Sequence, residues 1–185
     1  MRVGKTLEDA REGGNSGCIE TGCAGKEAYL LHGYLNVPKL LEYVLSNGVD
    51  LLTGKEVSIK TGELSEFKTF DDLYAAFEKQ MEYAVNTKIG VDNYLRYQYA
   101  TKMAATFLSC VIRDCIENGK DYYNGGPRYN TDYIQCCGIG TITDSLSAIK
   151  KHVYEEGTYS LEELVNAMKN NWEGAEAMRL TLWNK

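Results

Sequence analysis

The sequence predicts an α/β fold with more helix than strand. Three observations predict it. Of the 185 residues 44% are hydrophobic and 25% charged, the balance of a packed domain. Several stretches carry apolar residues at helical spacing between recognisable caps. One late run, 128–137, reads as extended between glycine-rich turns.

The elements follow in order. Thr6 opens a short helix over 7–12, which Gly13-Gly14 ends. Residues 15–25 are glycine and small polar types without a period, so they read as a loop or short extended segment. Asn36 caps a helix with Pro38 in its first turn, running through Leu40, Leu41, Val44 and Leu45 to a stop at Asn47-Gly48. The stretch 51–61, broken by Gly54, reads as a short hairpin. Thr69 caps a long helix with Leu73, Phe77, Met81 and Ala84 on one face and a bend expected near Gly90. A further helix is expected over 107–117. Asn124-Gly-Gly-Pro127 is a turn, and 128–137 a strand leading to Gly138 and Gly140. Leu146, Ile149 and Val153 mark another helix, and Ser160 with Glu163 forms a capping box for the next, through Leu164, Val165 and Met168.

The length predicts one domain, and no repeat or linker divides it. A balance of 20 Lys+Arg against 26 Asp+Glu gives a net charge of −6, which argues against nucleic acid as a partner. No apolar run reaches the ~20 residues of a membrane span, and the first residues lack the apolar core of a signal peptide. The six cysteines (Cys18, Cys23, Cys110, Cys115, Cys136, Cys137) therefore read as free thiols of a cytoplasmic protein.

Two phosphate-loop lookalikes fail. Gly25-Lys26 has Glu20 and Glu27 where the motif needs a glycine and a hydroxyl, and Gly138-Ile-Gly140 has Thr143 in place of a third glycine. Cysteine pairs spaced C-x4-C, with only His32 and His152 to join them, do not predict a metal site. Cys110 and Cys115 read as buried thiols on an apolar helix, and Cys136-Cys137 as two packed ones. The chemically suggestive segment is Gly17-Cys18-Ile19-Glu20-Thr21-Gly22. In an extended chain Cys18 and Glu20 share a face about 6.6 Å apart, a span that could hold a small substrate. A surface loop with an incidental thiol is the alternative.

Ser16-Gly-Cys-Ile-Glu-Thr-Gly22 resembles the cysteine loop of the glycyl radical enzymes, the pyruvate formate-lyase-like family. The resemblance continues through Gly25-Lys-Glu-Ala-Tyr29, Gly33-Tyr-Leu-Asn-Val-Pro-Lys39, Asn124-Gly-Gly-Pro-Arg-Tyr-Asn130 and Thr141-Ile-Thr-Asp-Ser-Leu-Ser-Ala-Ile-Lys150. Glu-Thr-Gly after the cysteine and Tyr129-Asn-Thr-Asp-Tyr-Ile-Gln135 place it nearest the branch that dehydrates trans-4-hydroxy-L-proline. Branches acting on choline, glycerol or propanediol are similar but less so. Pyruvate formate-lyase itself has two adjacent loop cysteines, whereas Ile19 follows Cys18 here.

The resemblance implies part of a ten-stranded β/α barrel, with residues 1–185 a partial domain of that type. It implies that Cys18 is the thiyl residue that abstracts hydrogen, that Glu20 is the acid/base group, and that Tyr34 lines the substrate pocket. A tyrosine packed beside the Asn36 cap is the alternative for Tyr34. It implies no cofactor bound by these residues. The radical would reside on a glycine outside the chain, installed by a radical-SAM activase, because the family's Arg-Val-x-Gly-Tyr/Phe motif does not occur here. Members are several times longer and homodimeric, so the expected partners are a small-molecule substrate, the activase, and the remainder of the enzyme or a separate glycyl-domain chain. Without them the isolated chain is expected to be inactive. A noncatalytic subunit of a split enzyme is the reading from a different class.

Overall fold

A computed structural model describes residues 4–17 and 20–183. Its contacts divide into two compact units, each assembled from two stretches of chain: Met1–Leu35 with Lys88–Gln135, and Asn36–Thr87 with Cys136–Lys185. Because the units interleave, no shift of composition along the chain marks them.

The first unit begins with α1 (Leu7–Arg11), capped by the Thr6 side chain, which accepts from the Asp9 amide. Strands β1 (Gly13–Ser16) and β2 (Glu20–Cys23) follow and pair antiparallel, with Gly13 opposite Cys23 and Ser16 opposite Glu20. Gly13-Gly14 thus starts a strand, and the segment read as loop or extended contains a hairpin. Strand β3 (Glu27–Asn36) pairs with β4 (Tyr129–Cys137) in a second two-stranded sheet. The helix expected over 107–117 is instead two short ones, α4 (Thr106–Ser109) and α5 (Arg113–Asn118). A tertiary contact accounts for the break: Ser109 Oγ donates to Asp121 and accepts from the Tyr122 amide. A 3-10 turn at Tyr122–Asn124 then leads toward β4. The apolar centre is small, with Ala28, Leu30, Cys115 and Tyr122 buried together.

The second unit is helical. Helix α2 (Val37–Leu45) begins as expected, with the Asn36 side chain accepting from the Lys39 amide, and buries five apolar residues. The stretch 51–61 forms turns with one isolated bridge, Val49 to Glu56, rather than a hairpin. Helix α3 (Phe70–Lys102) starts where Thr69 Oγ1 accepts from the Asp72 amide and continues through Gly90. Within this unit α3 buries Leu73, Ala76, Phe77 and Gln80, whereas Met81 and Ala84 are only half-buried. Gln80 is tolerated there because it accepts from Ser58 Oγ and donates to the Ile59 carbonyl.

Helix α6 (Ile139–Ile149) packs on α2. Gly138 at its start has φ 84°, and a Cβ there would lie 2.6 Å from the Pro38 ring, so both backbone and space require glycine. The helix passes into a π-turn, Lys150–Glu155. Helix α7 (Leu161–Lys169) carries the expected Ser160/Glu163 capping box. Helix α8 (Glu176–Trp183), which the pattern did not reveal, ends the described chain.

Candidate active site

Of the residues singled out for chemistry, Cys18 lies outside the described residues. Glu20 opens β2 and is buried, only 8% exposed. Strand alternation puts Glu20 and Gly22 on the buried face and Thr21 on the exposed one. Gly17, at φ 55°, lies under the Glu20 carboxyl, whose Oε2 would be 3.0 Å from a Cβ at that position. Tyr34 stands on β3, in the other pair of strands, and is 64% exposed.

The hairpin rests on buried charged groups that motif reading did not assign. Glu27, at the start of β3, accepts from the Cys23 amide at 2.9 Å, from Lys5 Nζ at 2.5 Å and from Thr131 Oγ1 at 2.5 Å. Burial pushes its carboxyl up, but Lys5, Thr131 and the Cys23 amide outweigh that and hold it below the usual range. Asp9 of α1 accepts from Lys26 Nζ at 2.6 Å, Tyr129 Oη at 2.7 Å and Arg128 Nη1 at 3.2 Å. Lys26, and then Tyr129, hold its carboxyl well below the ordinary value.

Arg128 also reaches Asp114, at 3.4 Å. Lys26, the residue of the phosphate-loop lookalike, is occupied by Asp9 and Glu12. The sequence signal that could have found these groups is the pair of motif blocks around Lys26-Glu27 and Arg128-Tyr129, the second of which opens the predicted strand 128–137.

The remaining cysteines separate by environment. Cys23 is buried, and its thiol donates to the Asp9 carbonyl at 2.8 Å, so it packs against α1. Cys115 is buried as expected, and burial raises its thiol. Cys110 is exposed instead, at the end of α4 where the helix breaks. Cys136 is likewise exposed, on a strand with ordinary backbone angles, and Cys137 is half-buried. Among the described residues no group of three His, Cys, Asp or Glu side chains converges to hold a metal. Nor is any of their helices long and apolar enough to cross a membrane.

The described part of the site is a buried carboxyl at the start of a hairpin strand, with the paired charges of Glu27 and Asp9 beneath the hairpin. Residues 1–184 match the family described as pyruvate formate lyase-like, and the chain belongs to that family. It is 48% identical, over its whole length, to trans-4-hydroxy-L-proline dehydratase of Clostridioides difficile, and covers 23% of that protein. It is 37% identical over 96% of its length to (2S)-3-sulfopropanediol dehydratase of Klebsiella oxytoca, covering 22% of it.

Among solved structures, the C. difficile hydroxyproline dehydratase with trans-4-hydroxy-L-proline bound superposes with a TM-score of 0.89 at 49% identity, over 94% of this chain and 22% of that one. The chain thus spans less than a quarter of the length of these relatives.

Proposed function

We propose that this chain supplies the cysteine-loop portion of a glycyl radical dehydratase that acts on trans-4-hydroxy-L-proline. One observation carries the reading: Cys18 and the buried Glu20 stand two residues apart in a chain 48% identical throughout to an enzyme of that name. In the remainder of such an enzyme, these strands and helices would complete a β/α barrel around the loop. Large side chains left exposed, including Phe107 at 87% and Tyr94 at 63%, are the kind of surface that further protein covers.

A glycyl radical outside the chain would supply the unpaired electron, and the chain's own residues would do the rest. The Cys18 sulfur takes a hydrogen atom from the carbon beside the ring nitrogen, forming S–H as C–H breaks. Glu20 gives a proton to the neighbouring hydroxyl, the C–O bond breaks and water leaves, and a proton released from the ring nitrogen as the C=N bond develops restores the Glu20 carboxyl. The Cys18 thiol then returns a hydrogen atom to the ring. Tyr34 would face the substrate. A radical-SAM activase and a homodimeric full-length enzyme are the partners this reading requires.

The test is a graft in which this chain replaces the matching segment of the C. difficile enzyme, assayed anaerobically with its activase. Product from 4-hydroxyproline supports the proposal. Product from choline or propanediol alone overturns the substrate, and a folded graft inert toward all three indicates a noncatalytic chain. The 185-residue chain by itself is expected to yield no product under the same conditions.

A further inference from the structure

The hairpin that carries Glu20 is built from residues that specify register poorly. Gly13, Gly14, Asn15 and Ser16 pair with Cys23, Gly22, Thr21 and Glu20 in turn, so large side chains do not lock one strand against the other. In such a ladder a slip of one residue turns every side chain to the opposite face, and would carry Glu20 from the buried side to the exposed one.

Side chains from β3 and β4 hold successive residues of β2. Tyr133 donates its hydroxyl to the Thr21 carbonyl at 2.5 Å and stacks on Tyr29, with ring centroids 6.3 Å apart. Gly22 lies flat against the next layer, since a Cβ there would fall 2.4 Å from Glu27 Oε2 and 2.8 Å from Tyr29 Cε1. The Cys23 amide donates to Glu27. Glu27 is the common point of this clamp, with a side chain wholly buried and its oxygens shared among the hairpin, Lys5 and Thr131 of β4. Stability alone does not call for a charge here, since well-packed apolar groups often replace a buried ion pair without loss. A directional acceptor at this point does what an apolar group cannot: it selects one register.

We propose that Glu27 is a positioning residue that pins the register of the hairpin and thereby holds the Glu20 carboxyl where the reaction needs it. The inference rests on the reading of Glu20 as the proton donor.

The test uses the same graft. Glu27→Leu keeps the approximate size and removes both acceptors. It is expected to lower kcat about 100-fold, the scale of a misplacement near 1 Å, with KM changed by less than about 3-fold. Hydrogen exchange of the Cys23 amide should accelerate in the same variant. Glu27→Gln keeps an oxygen for the Cys23 amide and offers its NH2 to the Thr131 hydroxyl, so it should recover most of kcat. Thr131→Val should lie between wild type and Glu27→Leu.

Wild-type kcat in a folded Glu27→Leu graft overturns the proposal. So does a Gln variant as impaired as the Leu variant, or a loss expressed in KM. Should Glu27→Leu fail to fold, the Gln and Val variants carry the decision. An unmodified graft that folds without turnover would sink the proposed function alone. The exchange measurement then still decides the clamp, because unchanged protection at Cys23 in a folded Glu27→Leu graft overturns it.

Discussion

The two units are held together by different physics. All the buried carboxylates among the described residues, Asp9, Glu20, Glu27, Asp92 and Asp114, belong to the first unit. The second buries Leu, Val, Ile and Phe from α2, α3, α6 and α7, with Gln80 and His152 the buried polar side chains. Apolar burial has no preferred direction and tolerates small shifts. Hydrogen-bonded charges fix distances, at a desolvation cost that each partner must offset. The candidate chemistry sits on the unit that has accepted that cost, and the difference teaches that this unit is built for placement and the other for cohesion.

The sharpest way to break this contrast is to remove the reacting groups and the core separately. Cys18→Ser in the graft is expected to abolish detectable turnover, and Glu20→Gln to lower kcat by about 10³-fold, within the range for a lost general acid. Neither should shift the thermal midpoint appreciably. Leu73→Ala should do the reverse, costing about 2–5 kcal/mol in denaturant unfolding while kcat of the folded fraction stays unchanged. A fall in kcat on that substitution would erase the distinction between the units.

Acid should sharpen the comparison. Asp9 and Glu27 have folded-state values below their ordinary ones, so the unfolded chain binds more protons as pH falls below about 4, and the stability they contribute drains away in that direction. The second unit has depressed carboxyls as well, Asp50, Asp72, Glu163 and Glu176, but Asp50, held by Lys39 and Thr53 at about 2, is less buried than Asp9 or Glu27, and the other three are exposed. Hydrogen exchange across pH 5 to 3 should therefore show protection lost first in β2 and β3. Earlier loss in α2 would contradict the assignment. The smallest effect is expected from Ser160→Ala, which removes the α7 cap and should cost about 1 kcal/mol with no change in turnover.

Much of the helical second unit was legible because its signals are local. Asn36, Thr69 and Ser160 each bond the amide three residues ahead, and the chain needs no distant partner to obey them. Gln80 shows the limit. A polar residue on the buried face escaped the periodicity, because only the folded contacts with Ser58 and Ile59 make burial tolerable.

The first unit was less legible for the same reason enlarged. Residues 13–23 carry no apolar alternation, and their strand character depends on Glu27, Tyr29 and Tyr133 supplied from further along the chain. The stretch 107–117 has an uninterrupted helical appearance, yet Ser109 is drawn to Asp121 and Tyr122 and the helix divides.

Neighbouring residues alone set the capped starts of α1, α2, α3 and α7, the late strand, the α/β class, and the Cys18 and Glu20 pattern that marks the family. These are written in neighbouring residues, where caps, period and motif act over a few positions. Only the tertiary structure decided which carboxylates are buried, that Cys23 packs while Cys110 and Cys136 do not, and that Glu27 rather than Lys26 is the informative residue of its block. Each of those outcomes depends on groups up to 120 residues apart, such as Tyr129 on Asp9, meeting out of water. A charge out of water survives only where its partners are in place, and sequence spacing does not record such a meeting.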